Sequence, residues 1–154
     1  MDFQALKSEL TTDPVSVGYT TMSDAQILAS LNAETIEISI DVPIGTLEGM
    51  LRLNGIVSKL EAYGTTAGQS DALTAARELT GLVGSSNVRT VTMSDPTVAA
   101  KIENYLIALV AASQLSDDDQ AAILSLAQGK TSRAVQLFGR AVDYGDLQTA
   151  RSGS

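Results

Sequence analysis

The stretch from Ser94 to Gln128, SDPTVAAKIENYLIALVAASQLSDDDQAAILSLAQ, most constrains what this chain can fold into. Asp95-Pro96 is a helix start, because Asp caps free N–H groups and Pro is tolerated at the first helical position. Val98, Ile102, Tyr105, Leu106, Leu109 and Val110 then recur at helical spacing, with Lys101, Glu103 and Asn104 largely on the other side. Leu115-Ser116-Asp117-Asp118-Asp119 interrupts that pattern. Ser116 is the expected N-cap of a second helix, with acids in the first turn, where the helix dipole favours them. Ala121, Ile123, Leu124 and Ala127 supply its apolar face and Gly129 its stop. Burial of each large apolar side chain contributes roughly 1.5–3 kcal/mol. The hairpin is therefore expected to make the largest local contribution to the core.

A chain of 154 residues predicts one domain, residues 1–151, with SGS at 152–154 as a flexible tail. That length supports a core without metals or disulfides. There is no Cys, hence no thiol chemistry, and no His, hence neither the commonest general base nor the commonest metal ligand. Ten basic against 18 acidic residues give a net charge of -8, which disfavours direct binding to nucleic acid or anionic lipid. The apolar run around Tyr105–Ala112 is too short to span a bilayer. The opening MDFQALKSEL lacks an export-signal core, so synthesis in a cytoplasm is the expectation.

Read in order, residues 2–11 predict an amphipathic helix with Phe3, Leu6 and Leu10 on one face and Lys7 and Glu9 solvated. Asp13-Pro14 breaks it. Residues 15–22 read as a loop, and Ser23-Asp24-Ala25-Gln26 is a capping box opening a helix with Ile27, Leu28 and Leu31. Ile36, Ile38 and Ile40 alternate with polar residues, predicting a half-buried strand. Helices follow from Val42-Pro43 with Ile44, Leu47, Met50 and Leu51, from Ile56 with Leu60 and Tyr63, and over Asp71–Val83. Gly64–Ser70 reads as a small-residue loop. Val88–Met93 predicts a second short strand, with 35–41 as a candidate partner. Beyond the hairpin, Thr131-Ser132 caps a short helix with Val135, Leu137 and Phe138, residues 141–143 read as extended, and Asp146–Arg151 as a final helical turn. The fold class is mainly α: a single-domain helical bundle around a helical hairpin, with one or two short β-strands.

Candidate chemistry is sparse. Gly129-Lys130-Thr131-Ser132 resembles the end of a phosphate loop, but Leu124 stands where that motif needs Gly and a helix precedes it instead of a strand. A helix stop followed by a cap accounts for every residue. Asp117–Asp119 lacks the spacing, central Gly and closing Glu of a calcium loop. Glu34, Glu37 and Asp41 lie along the predicted strand, where acids ordinarily meet solvent, and no base assists them. No catalytic, cofactor-binding or metal-ligating residue is assigned. Arg133, Arg140 and Arg151 form the only basic cluster.

Two blocks carry a family resemblance. Leu6–Asn32, LKSELTTDPVSVGYTTMSDAQILASLN, contains LK-E, DP, GY, M-S-D and LN; Thr131–Arg151, TSRAVQLFGRAVDYGDLQTAR, contains SRA followed by leucine and glycine, a short valine-bearing segment around Val142, and a closing AR. Together they resemble a family of small structural-module proteins of tailed bacteriophages and prophages. Val42-Pro43-Ile44 and Asp95, Pro96 and Val98 match more loosely, while Val15-Ser16-Val17 lacks the Gly-Arg that often precedes GY. The resemblance implies a non-enzymatic virion protein of the head–tail neck or tail. It would meet other phage structural proteins, self-associate in the particle and use no cofactor. The alternative is an acidic phage-encoded inhibitor of a host defence or nucleic-acid-binding protein. The expectation is that the two blocks lie together and form the partner surface. Tyr19 and Arg133, with Arg140 and Arg151, are its candidate residues, since Tyr and Arg suit interfaces. The competing reading has Tyr19 plugging its own loop and Arg133 capping a neighbouring helix.

Overall fold

The computed structural model describes residues 1–152. It is mainly helical with a few short strands, as the apolar periodicity predicts. The elements are α1 (Phe3–Thr12), α2 (Asp24–Asn32), β1 (Ile36–Ser39), β2 (Val42–Pro43), α3 (Ile44–Leu53), α4 (Ile56–Gly64), α5 (Asp71–Val83), β3 (Thr90–Val91), α6 (Pro96–Ala111), α7 (Asp117–Ser125), β4 (Gln128–Thr131), α8 (Arg133–Phe138) and α9 (Tyr144–Ser152). The chain divides into two compact units. A middle unit spans residues 38–129, and a terminal unit joins residues 1–37 to 130–154. Of the expected tail, Ser152 closes α9, and residues 153–154 lie outside the described residues.

The middle unit is a helical stack with α5 at its centre, packed between α4 and α6. Ala72, Ala75 and Ala76 on α5 bring its neighbours close, and Leu79 and Val83 continue the same buried stripe. Leu60 of α4 and Leu106 and Leu109 of α6 are buried in the same core. A cavity of about 20 Å³ lined only by apolar side chains remains inside it. It offers room for one water and no polar partner to hold one. The predicted hairpin exists as α6 and α7, with Asp95 capping α6 and Ser116 and Asp119 forming a capping box on α7. It is not the centre of the unit. On α7 only Ile123 is buried, while Leu124 is half-buried and Ala121 exposed. Three acids occupy the first turn of this nine-residue helix, so little apolar surface is left to face inward.

Strand pairing departs from the sequence reading. β3 pairs antiparallel with β2, Val42 opposite Val91, and β1 pairs with β4. The 88–93 segment therefore does not pair with 35–41. Ile38 and Ile40 keep over a third of their surface exposed, so the alternating isoleucines do not make a half-buried strand. Gly129 is not a helix stop: α7 ends at Ser125 and Gly129 sits in β4. A Cβ there would come 2.5 Å from Ile40 Cγ2, so any larger residue would have to displace that side chain.

The terminal unit has its own core. Leu6, Leu10, Tyr19, Ile27 and Leu31 come from the N-terminal half; Ala134, Val142, Leu147 and Ala150 come from the C-terminal half. The helices meet as α1 on α9 and α2 on α8 and α9. Asp2 caps α1, and the Ser23–Gln26 capping box opens α2 as predicted. Asp13 ends α1 in a left-handed conformation, φ 43°, and its carboxylate accepts the N–H groups of Val17 and Gly18. Those two bonds close the loop that carries Tyr19. The final helix is longer than the expected turn, because Asp143 and Asp146 exchange backbone and carboxylate bonds at its N-terminus.

Candidate partner surface

The four residues expected at a partner surface all fall in the terminal unit, so the two blocks do lie together. Each of the four has a partner inside that unit. Tyr19 sits in a 3-10 turn after Gly18, whose φ of 89° favours glycine, and keeps only 2% of its surface exposed. Burial and the nearby Glu9 carboxylate push its phenol above the ordinary tyrosine value, against the opposing effects of Ser30 and Arg133. The ring fills the core and is not presented outward.

Arg133 makes a two-pronged contact with Glu9. Its Nε donates to Oε1 at 2.8 Å and its Nη2 to Oε2 at 2.9 Å, while Nη1 donates to Gln136 Oε1. Glu9 is 5% exposed, which corrects its expected place on the solvated face of α1. A buried carboxylate needs such a partner, and the planar guanidinium supplies both bonds at once. Those bonds hold the Arg133 guanidinium above its usual value. The bidentate carboxylate contact expected of Arg133 is thus made within the chain, to α1.

Arg140 donates to Asp146 Oδ1 at 2.7 Å and to the Ala141 carbonyl. Burial works against charge on Asp146, but the Arg140 bond and the Asp143 N–H outweigh it and hold the carboxyl below its usual value. Arg151 pairs with Asp24, whose other oxygen accepts from Gln148 Nε2 at 2.8 Å. Arg140 and Arg151 retain nearly half of their side-chain surface, so part of each guanidinium still faces outward.

Three residues that join the two blocks, Glu9, Asp24 and Asn32, are not among the sequence candidates. Asn32 bonds Val142 twice, its Nδ2 donating to the carbonyl at 2.8 Å and its Oδ1 accepting the N–H at 2.9 Å. Glu9 and Asp24 each hold an arginine of the second block. The signal the sequence carries for all three is membership of the LK-E, M-S-D and LN motifs.

The remaining sequence candidates are accounted for locally. Ser132 accepts the Val135 N–H as the cap of α8, with Gly129, Lys130 and Thr131 in β4. Asp119 accepts from the Ser116 N–H and hydroxyl, and those bonds hold it below the ordinary aspartate value. Asp41 accepts from the Ser94 N–H and hydroxyl, with the same consequence. Among the described residues no group of three or more acidic, His or Cys residues is placed to hold a metal, and no helix is long and apolar enough to cross a membrane. In the middle unit a groove along α5 and α6 is lined by Leu79, Leu82, Val98, Ile102 and Tyr105 beside Thr90–Thr92. Ile107, 55% exposed, lies further along the same helix pair. It falls off the main apolar stripe of α6, a signal the helical spacing already contained.

Comparison with protein-family models, with curated proteins and with solved structures finds no match.

Proposed function

We propose that this chain is a non-enzymatic structural protein of a tailed-phage particle, at the head–tail neck or along the tail, acting by protein–protein contact in repeated copies. One observation carries the reading beyond the motifs themselves. The motif residues do a shared job: Glu9 binds Arg133, Asp13 closes the turn before Gly18-Tyr19, Asp24 binds Arg151, and Asn32 binds Val142. A motif set whose members join one another supports the view that what resembles the phage proteins is a folded module. On this reading no cofactor is needed, and contacts to nucleic acid or membrane play no part. The partners are other virion proteins and further copies of the chain, which is made in the bacterial cytoplasm. Partner contact then falls to outward-facing residues, with Arg140 and Arg151 as the terminal unit's candidates and Ile107 as the middle unit's. Tyr19 and Arg133 hold the module together.

The net charge of -8 favours one rival, an intracellular inhibitor that occupies a nucleic-acid-binding groove on a host protein. Mass spectrometry of purified particles separates the two. Stoichiometric presence is expected; absence from particles, with abundance in the infected cytoplasm, would replace the virion reading with the inhibitor.

A further inference from the structure

We propose that the groove along α5 and α6 receives an extended segment of a partner protein, which pairs with the outer edge of β3 as a third strand and carries apolar side chains at alternate positions, with a carboxylate set against Lys101. The inference deepens the contact reading above and rests on it for the source of the segment.

The sheet of β2 and β3 has two outer edges of unequal chemistry. Val42 lies opposite Val91 and Pro43 opposite Thr90, and the Ile44 N–H donates to the Arg89 carbonyl at 2.9 Å. Along an antiparallel pair, residues alternate between turning both backbone groups toward the partner strand and turning both away. Ile44 and Arg89 face each other, and so do Val42 and Val91, two residues along. The N–H and C=O of Thr90 therefore point outward, as does the nitrogen of Pro43. On the β2 side the proline offers no donor, which blunts that edge. On the β3 side Thr90 keeps both groups, and among the described residues no backbone bond from elsewhere in the chain reaches them.

That open edge forms one wall of the groove. Thr90, Val91 and Thr92 line a hollow of about 300 Å³, and Leu82, Val98 and Ile102 line it from the two helices. An open edge beside an apolar wall is what strand addition requires: main-chain bonds on one side and pockets for alternate side chains on the other. A helix lying in the groove would spend its backbone groups on itself and leave Thr90 unmet. Tyr105 lines both this groove and the hollow around Ile107, so the apolar track continues along α6. Lys101 supplies the charge. Its ammonium stands 5.4 Å from the centre of the Tyr105 ring and reaches Glu78 only at 3.9 Å. A carboxylate on the incoming segment gives it a closer partner.

A displayed library of random segments of about nine residues, long enough for one strand, tests this in solution and independently of particles. Panning on the wild-type chain should enrich segments that are apolar at every second position and carry Asp or Glu between them. The enriched segment, made synthetically, should bind roughly tenfold or more weakly to Thr90→Pro, which removes the outward N–H without touching a bond between β2 and β3. Val98→Asp should weaken it similarly by charging the apolar wall, at a place near the start of α6 where the helix dipole tolerates an acid. N-methylation of alternate amides of the segment needs no variant of the chain. One methylated set should abolish binding and the other leave it within a few-fold. No enrichment, enriched segments with helical spacing, or equal loss with either methylated set overturns the proposal. A dimer of the wild-type chain that Thr90→Pro dissolves also overturns it, by making a second copy the occupant. Each of those results leaves the virion reading standing, whereas absence from particles removes that reading alone.

Discussion

In the middle unit, Leu106 and Leu109 are wholly buried in a core they share with the alanine-rich face of α5. In the terminal unit a smaller apolar core is joined by side-chain bonds that reach across more than a hundred residues of sequence, with the buried Glu9 held by Arg133. Polar side chains in the middle unit mostly serve caps and turns, as when Arg77 donates to the carbonyls of Gly64 and Thr66. The contrast separates two ways of specifying a fold. Apolar packing accepts many sequences of similar volume and pattern. A buried carboxylate with a forked partner accepts few. The residues that make this chain distinctive are therefore concentrated where polar identity, not periodicity, decides the structure.

The largest expected effect is in the middle unit. Leu106→Ala should destabilise by about 4 kcal/mol, because the side chain is fully buried in the core. Leu124→Ala, at a half-buried position, should cost less than about 2 kcal/mol. Urea denaturation of both variants checks the ranking, and equal losses would return α7 to the centre of the core.

Next comes Arg133→Ala, expected to cost about 3 kcal/mol by leaving the Glu9 carboxylate buried without its partner. Arg133→Lys should recover only part of that loss, since an ammonium lacks the fork. Full recovery by Lys would show that charge alone, not the two-pronged geometry, holds the two ends of the chain together.

Asn32→Ala should cost about 2 kcal/mol, because it strips both bonds from the Val142 backbone. Thermal melting below a shift of a few degrees would place that backbone in water instead.

A smaller effect is set by acidity. Asp146 has a folded-state value below its unfolded one, so its contribution is present above the ordinary aspartate value, near about 4. It is lost as pH falls through the lower folded-state value. Asp146→Asn should therefore flatten the acid limb of the stability curve. An unchanged limb would mean that Arg140 does not hold this carboxylate charged. The smallest effect belongs to the exposed Glu48–Arg52 pair, whose removal should move stability by less than about 0.5 kcal/mol.

Much of the helical architecture was legible because its signals are local. Asp95-Pro96, Ser116 and Ser23–Gln26 mark helix starts within a few residues of the chain, and the structure places caps at all three. What was not legible is non-local. Glu9 reads as solvated on α1 because its partner lies 124 residues away. Gly129 reads as a helix stop because neither its place in β4 nor the side chain of Ile40 packed beside it is a local signal. Strand partners were misplaced because β2 and β3 are two residues each, too short for their pattern to name a partner. The candidate residues Tyr19 and Arg133 were found by their distinctiveness, but their placement inside the unit could come only from the fold.

The most direct test of the account is native-state hydrogen exchange on the terminal unit, comparing wild type with Arg133→Ala. If the two ends of the chain form one cooperative unit, the amides of Leu10, Ile27 and Leu31 should open with the same free energy as those of Leu147 and Ala150. All should then lose protection together, by about 3 kcal/mol, when Arg133 is removed. Protection lost by Leu147 and Ala150 alone, with Leu10, Ile27 and Leu31 unchanged, would contradict it.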